Sequence, residues 1–244
     1  MNLINPYRFA AAVGGIPRDD LIAEYLFDTN ADDTSGSTNV HNGTLVGDAA
    51  VSSGVLTLDG TGDYVTIADA DDFSFTDGAG TDEAFSISIW FKSTIAPAAQ
   101  QLVAKFDDNV AVEWYMQIIG GGNAGKVALT VADGSGDNLP RITAFSSNAY
   151  SQNTWIHAVA TYDGGEVNTG IKIYLDGSLE TMNTGGVGSY VGTANTGTRV
   201  LLGARDLNSS PGVFFTGDMD NVRIYKDKEL TASEVTELFN EGHD

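Results

Sequence analysis

The residues best placed to do chemistry in this chain are carboxylates, and two lie in the closing stretch FTGDMDNVRIYKDKELTASEVTELFNEG. Phe215 to Tyr225 reads as a strand, whose side chains alternate faces with period two. On that count Asp218 and Asp220 share a face with Val222 and Ile224. If the two apolar residues point into a core, Asp220 points there too. A buried carboxylate is costly unless it is paired, hydrogen-bonded or bound to a metal. Asp220 is therefore expected to be held by backbone N–H groups or by a hard cation such as calcium, which takes about six to eight oxygen ligands.

Other reactive groups lack partners at useful spacing. His41, His157 and His243 have no paired metal-ligand spacing. The chain has no cysteine, which excludes disulfides and thiolate metal sites. No G-x-S-x-G, P-loop or strand–helix G-x-G-x-x-G occurs, and GGGNAG reads as a hairpin loop. Glycoside hydrolysis usually needs two carboxylates about 5–10 Å apart. The acids here are scattered, mostly through loops such as DDNVAVEW and DADDF. No catalytic residue is assigned, and the chain is expected not to be an enzyme. Sugar binding would use an aromatic face with polar loop groups around it. Trp90, Trp114, Tyr115, Tyr150 and Tyr190 are the aromatic candidates and ARDLNSSPG a natural rim, with the choice among them left open.

The elements that must position these residues are mostly strands. In AFSISIWFK, Phe85, Ile87, Ile89 and Phe91 share one face, and Ser86, Ser88 and Trp90 the other, as in a half-buried strand. GIKIYLDGSLE places Ile171, Ile173 and Leu175 on one face before Asp176-Gly177, a type I′ hairpin turn. KVALTVADGSGD aligns Val127, Leu129 and Val131, and GVLTLDGTGDYVTI holds another pair of strands around Asp59-Gly60. One helix is well marked. Thr231 and Glu234 form a capping box, Val235, Leu238 and Phe239 give an apolar stripe, and Gly242 can end it. Many strands and one terminal helix predict a two-sheet antiparallel sandwich or jelly roll.

Length and charge narrow the function classes. The chain has 244 residues, with 33 Asp+Glu against 12 Lys+Arg for a net charge of −21. Such a surface repels phosphate backbones and argues against nucleic acid. It favours divalent cations and solubility. No apolar run approaches the roughly 20 residues of a membrane span, so no membrane insertion is expected.

Five stretches occur in a telling order: LIAEYLFDTNADDTSG…HNGTLVG, LTLDGTGDYVTI, FSISIWFK, WIHAVATYDGG…IKIYLDG and the closing segment. Together, over about residues 21–242, they resemble the laminin-G-like jelly-roll domain of the concanavalin A-like lectin/glucanase superfamily. The resemblance implies two packed sheets, binding of carbohydrate or protein, and often a structural calcium ion. Carried onto this chain, the calcium ligands are Asp28, the Gly43 carbonyl and Asp220, with Glu24, Asn30 and Asp59 as competitors for the place of Asp28. The E-x-D-x-x-E strand of the glucanase relatives is missing. Trp90 and Trp155 fall at family core positions, and His157 matches a histidine expected to be hydrogen-bonded within the sheets.

Residues 1–20 stand apart from the domain of residues 21–244. They carry Arg8 and Arg18 and no acid before Asp19. The start NPYRF (Asn5, Pro6, Tyr7, Arg8, Phe9) resembles the N-terminal arm of phage virion proteins. MNLINPYRFAAAVGG is a poor signal peptide, because Asn5, Pro6 and Arg8 interrupt its apolar region. The expected protein is thus a virion accessory made in the host cytoplasm. Its arm docks on a capsid or tail protein, and its domain is displayed at the virion surface, with surface glycans as a further partner and homo-oligomerisation open. The alternative is a calcium-stabilised carbohydrate-binding or adhesion module of a cellular protein, extracellular or at the cell surface.

Overall fold

Short β-branched and aromatic runs, punctuated by glycine turns, build eighteen strands in a computed structural model that describes residues 15–134 and 139–243. The strands begin with β1 (Leu21–Tyr25), β2 (Gly43–Val46), β3 (Ala50–Ser52), β4 (Val55–Asp59), β5 (Tyr64–Ile67), β6 (Phe85–Ser93), β7 (Gln100–Asp107), β8 (Ala111–Ile118) and β9 (Lys126–Gly134). They continue as β10 (Arg141–Ala149), β11 (Ile156–Tyr162), β12 (Ile171–Leu175), β13 (Ser178–Leu179), β14 (Met182–Val187), β15 (Val200–Leu202), β16 (Arg205–Leu207), β17 (Ser210–Gly212) and β18 (Thr216–Lys226). Helix α1 (Ala232–Glu241) follows.

Two antiparallel sheets stack face to face, the expected all-β sandwich. The first runs β13-β12-β11-β6-β18-β4-β3, with β1 also on β18. The second runs β14-β10-β9-β8-β7-β15-β5-β2, and the β16–β17 hairpin hangs from β7. Ile87, Ile89 and Phe91 of the first sheet and Trp114, Met116 and Leu129 of the second belong to one buried cluster between them. The turn at Asp176-Gly177 has φ of 48° and 76°, the paired positive values a type I′ turn requires. The strands flanking Asp59-Gly60 do not pair with each other: β4 belongs to the first sheet and β5 to the second.

Helix α1 forms where its capping box predicts. The Thr231 side chain accepts from the Glu234 N–H, and the Glu234 carboxylate accepts from the Thr231 N–H. Gly242 ends it at φ 84°, a value that favours glycine. The helix lays Val235 and Leu238 on the outer face of the first sheet, joining Leu21, Val159, Tyr174, Tyr225 and Leu230. That cover corrects the half-buried reading of Phe85–Ser93. Trp90 stacks on Phe239 of the helix at 5.6 Å, and both faces of the strand are buried.

The last strand departs from simple alternation. Asp220 sits opposite Trp90 and Arg223 opposite Ser88, so β18 carries one extra residue between them. Asn221, at φ 48°, absorbs it. Met219 faces the inter-sheet core before this bulge, and Val222 and Ile224 face it after. Asp220 therefore points away from that core, toward the outer side with its partner Trp90, contrary to the parity expected from Val222 and Ile224. A bulge changes which residues share a face, and nothing in the residue types of MDNV announces it.

The bulge falls at a junction. On one side of β18, β4 pairs with Thr216–Met219 and β1 with Val222–Tyr225. Asp220 and Asn221 fill the gap between those two ladders. Asp220 Oδ1 accepts the Asn221 N–H at 2.7 Å, and Asn221 Nδ2 donates to the Gly242 carbonyl at 2.8 Å.

Candidate functional site

Alternation on the second sheet defines an outer face. Trp114 and Met116 of β8, Val127 and Leu129 of β9, and Ile142 and Ala144 of β10 point into the core. Tyr115, Gln117, Thr130, Thr143 and Phe145 therefore point outward. Register sets them in rows. Tyr115 lies opposite Thr130 and Thr130 opposite Thr143; Gln117 lies opposite Ala128 and Ala128 opposite Phe145. The two threonine hydroxyls are 2.9 Å apart. Gly185 of β14 pairs with Thr143 and leaves open space where a side chain would stand.

The β16–β17 hairpin brings Arg205 onto this face. Its turn uses Asn208 and Ser209 at φ 49° and 60°. The Ser209 N–H donates to Asp107 and the Asn208 N–H to Asp108. Arg199 clamps its base by two bonds to Asp206, at 2.9 and 2.8 Å. The Arg205 guanidinium carbon lies 4.7 Å from the Phe106 ring centre and 5.7 Å from that of Tyr115. Its Nη1 donates to Gln117 Oε1 at a long 3.4 Å, and its Nε has no partner among the described residues. Burial pulls its pKa down, with Tyr115 and Asp108 opposing. An arginine stays charged under such a shift. Phe106 and Tyr115 meet edge to face at 5.2 Å, and Lys126 Nζ stands 5.5 Å over the ring of Phe145. The face thus offers two partly exposed aromatic rings, hydroxyls, an amide and cations.

Of the five aromatic residues that the sequence offers for sugar binding, one reaches this face and four do not. Tyr115 is on it, beside the ARDLNSSPG loop that supplies Arg205. Trp114 is fully buried and donates to the Phe73 carbonyl. Tyr150 is buried against Ser93 and the Ile95 carbonyl. Tyr190 and Tyr162 both donate to Asp82, and burial raises both phenols, Asp82 adding to it. Trp90 is under the helix, and Trp155 stacks on His243 at 4.4 Å. Sequence patterns alone do not single out Phe145 and Arg205; the one available signal is the outward phase of Phe145 in Arg141–Ala149.

His157 behaves as a structural residue. Its Nε2 lies 2.9 Å from Ser88 Oγ, and its Nδ1 has no partner among the described residues. Burial, with Arg223 adding, pulls its pKa down to about 3. Asp176 accepts the His157 backbone N–H and not the ring, so Ser88, His157 and Asp176 do not form a relay.

The expected metal ligands occupy a second region. Asp28 is exposed in the loop after β1, whose end meets the Asp220 gap in β18. Gly43 opens β2, and its N–H donates to the Ala31 carbonyl, three residues beyond Asp28. Of the competitors, Glu24 is taken by Arg223 and Arg18, and Asn30 bonds Asp32. Asp59 belongs to a different group, with Asp48 and Asp63. There Asp63 already accepts the Asp48 and Asp59 N–H groups, which accounts for its burial without an ion. Residues Asn5, Pro6, Tyr7, Arg8 and Phe9 lie outside the described residues. Of the stretch that follows them, Ile16 packs against the helix-side cluster and the Pro17 carbonyl accepts from Tyr225.

Comparison with known proteins agrees with this architecture. The laminin-G-type model of the concanavalin A-like lectin/glucanases superfamily matches residues 59–236, and the chain belongs to that superfamily. A structure of botulinum neurotoxin type C, whose cell entry is described as dependent on interaction with two ganglioside molecules, is similar at 18% identity and TM-score 0.62. The match covers 91% of this chain and 51% of that one, so the chain spans about half of that structure's length. Domain 4 of AbnA, an extracellular arabinanase of Geobacillus stearothermophilus, solved with arabinotriose, is similar at 20% identity and TM-score 0.56. That match covers 90% of this chain and 98% of the domain. The neurotoxin DC binding domain, solved with rat synaptotagmin II, is similar at 17% identity and TM-score 0.62, over 92% of this chain and 52% of that one. No curated protein matches the chain. No helix among the described residues is long and apolar enough to cross a membrane.

Proposed function

We propose that this chain is a non-enzymatic glycan-binding module whose ligand rests on the outer face of the second sheet. The observation that carries the reading is Arg205 lying over the Tyr115 and Phe106 rings, beside the paired hydroxyls of Thr130 and Thr143. Sugar rings stack their C–H faces on aromatics while their hydroxyls take polar partners at the edge. The similar structures solved with arabinotriose, or described with gangliosides, support the class of ligand. The outward residues of β8, β9 and β10 supply rings, hydroxyls and cations, the groups of a binding face. A glycan array probed with wild type and Tyr115→Ala at millimolar calcium tests it. Binding that the variant loses is expected; an array with no binding overturns it.

Calcium at Asp28, the Gly43 carbonyl and Asp220 is the proposed structural ion. The donors are all oxygens, as calcium prefers, and support comes from β1, which leads to Asp28 and ends with Tyr25 opposite Val222, two residues from Asp220. Bound there, the ion would clamp the first strand to the last.

Display on a phage head or tail is the finer reading and rests chiefly on the resemblance carried by Asn5–Phe9. Mass spectrometry of purified particles tests it: finding this chain supports it, and its consistent absence removes it.

A further inference from the structure

We propose that the saccharide taken by this face is anionic, bearing carboxylates or sulfates; the proposal rests on the reading of the face as a glycan site. Cations are unevenly distributed on this acidic protein. Arg18, Lys92, Lys105, Lys172, Arg199, Arg223, Lys226 and Lys228 each pair with a carboxylate. Among the described residues only Lys126, Arg141 and Arg205 have no such pair, and all three belong to the second sheet's outer face. Arg141 precedes Thr143 and Phe145 on the outward phase of β10. Lys126 stands over Phe145, and Arg205 lies over Tyr115.

Such a grouping is not expected by chance. Carboxylates outnumber cations almost three to one in this chain, so an unpaired cation is unusual and three on one face more so. Asp108 is the acid that acts on Arg205, and its carboxylate accepts the Asn208 N–H instead of the guanidinium. Among the described residues Arg205 also keeps an unused Nε–H donor, and the Arg141 guanidinium makes only a long 3.4 Å bond to the Leu139 carbonyl. A guanidinium presents paired N–H donors that match a carboxylate or sulfate edge. Arg141 pairs with Ala132, and Lys126 lies six residues back along β9, so the two cations bracket the outward residues from opposite ends, about 20 Å of strand apart. A chain of repeating negative charges meets such cations in succession. A neutral sugar would need only the rings and hydroxyls.

The test is isothermal titration of the full chain with polygalacturonate (carboxylate), dextran sulfate (sulfate), and neutral dextran and arabinotriose, in low and moderate salt. The expected result is binding of an acidic glycan that weakens as salt rises, with the neutral glycans bound more weakly. Whichever acidic arm binds identifies the group. Arg205→Gln should weaken that arm about tenfold, the size of one charge-assisted bond. Arg141→Gln and Lys126→Gln, half-exposed and outside the core, should each weaken it several-fold with the melting temperature unchanged. Neutral and acidic glycans bound equally, with Arg141→Gln and Lys126→Gln silent, would overturn the anionic proposal and leave the glycan module intact. No binding to any of the four glycans would overturn both.

Discussion

Arg223 Nε donates to Glu24 Oε1 at 2.8 Å across 199 positions of sequence, and both side chains are essentially sealed from solvent. The other Glu24 oxygen accepts from Arg18 and Thr34, and Arg223 also pairs with Glu241. Burial pulls the guanidinium pKa down, but the two glutamates outweigh it and raise it. Removing Glu24 leaves the buried guanidinium with Glu241 as its one remaining carboxylate, and breaking a buried pair costs up to about 3–5 kcal/mol. Glu24→Gln is expected to lower the unfolding free energy by that order. Chemical denaturation checks it, with Glu24→Gln/Arg223→Met expected to lose less than the two single losses added together.

The bulge makes Asn221 a second sensitive point. A β-branched residue at φ 48° is strained by about 1–3 kcal/mol, and the bond from Asn221 Nδ2 to the Gly242 carbonyl would also be lost. Asn221→Val should therefore destabilise the fold clearly, while Asn221→Gly, free at this φ, should cost only the lost bond. Equal melting temperatures for the two variants would contradict the left-handed bulge.

The buried His157 sets a pH dependence. Its folded pKa is about 3, below the ordinary 6.5, so the unfolded chain binds the extra proton between those values. Stability contributed by the neutral ring is complete above about 6.5 and falls as pH drops toward 3. One proton gives a slope of at most about 1.4 kcal/mol per pH unit. Between pH 6.5 and 5, above the usual carboxylate range, wild type should lose stability more steeply than His157→Gln. Parallel curves would exclude a neutral buried ring.

The calcium proposal predicts that EDTA lowers the melting temperature and that calcium restores it, since a ligand of the folded state stabilises by mass action. Asp220→Ala should lower the starting melting temperature and remove the response to EDTA. An unchanged wild-type melt with EDTA defeats the proposal.

Much of the fold was legible because local signals and tertiary demands agree. The capping box at Thr231 and Glu234, the Asp176-Gly177 turn and the apolar phase of Phe85–Phe91 each depend on neighbours in sequence, and each formed. Trp90 looked out of phase because its covering partner, Phe239, lies far along the chain and is invisible to a periodicity argument. Strand parity misplaces Asp220 because the bulge arises where two separate strands, β4 and β1, divide one side of β18. The candidate site was legible only in pieces. Tyr115 and the ARDLNSSPG loop were in view, but their meeting requires the β16–β17 hairpin to fold over β7, a contact that spacing along the chain does not encode.

Ile16 enters beneath the helix-side cluster, and the Gly242 carbonyl ends the helix against Asn221, so the described chain both starts and finishes on the outer side of the first sheet. Tyr115 and Arg205 occupy the opposite side, across the whole thickness of the sandwich. Anything held close to Ile16 or Gly242 would therefore lie behind the sandwich, out of the way of Tyr115 and Arg205.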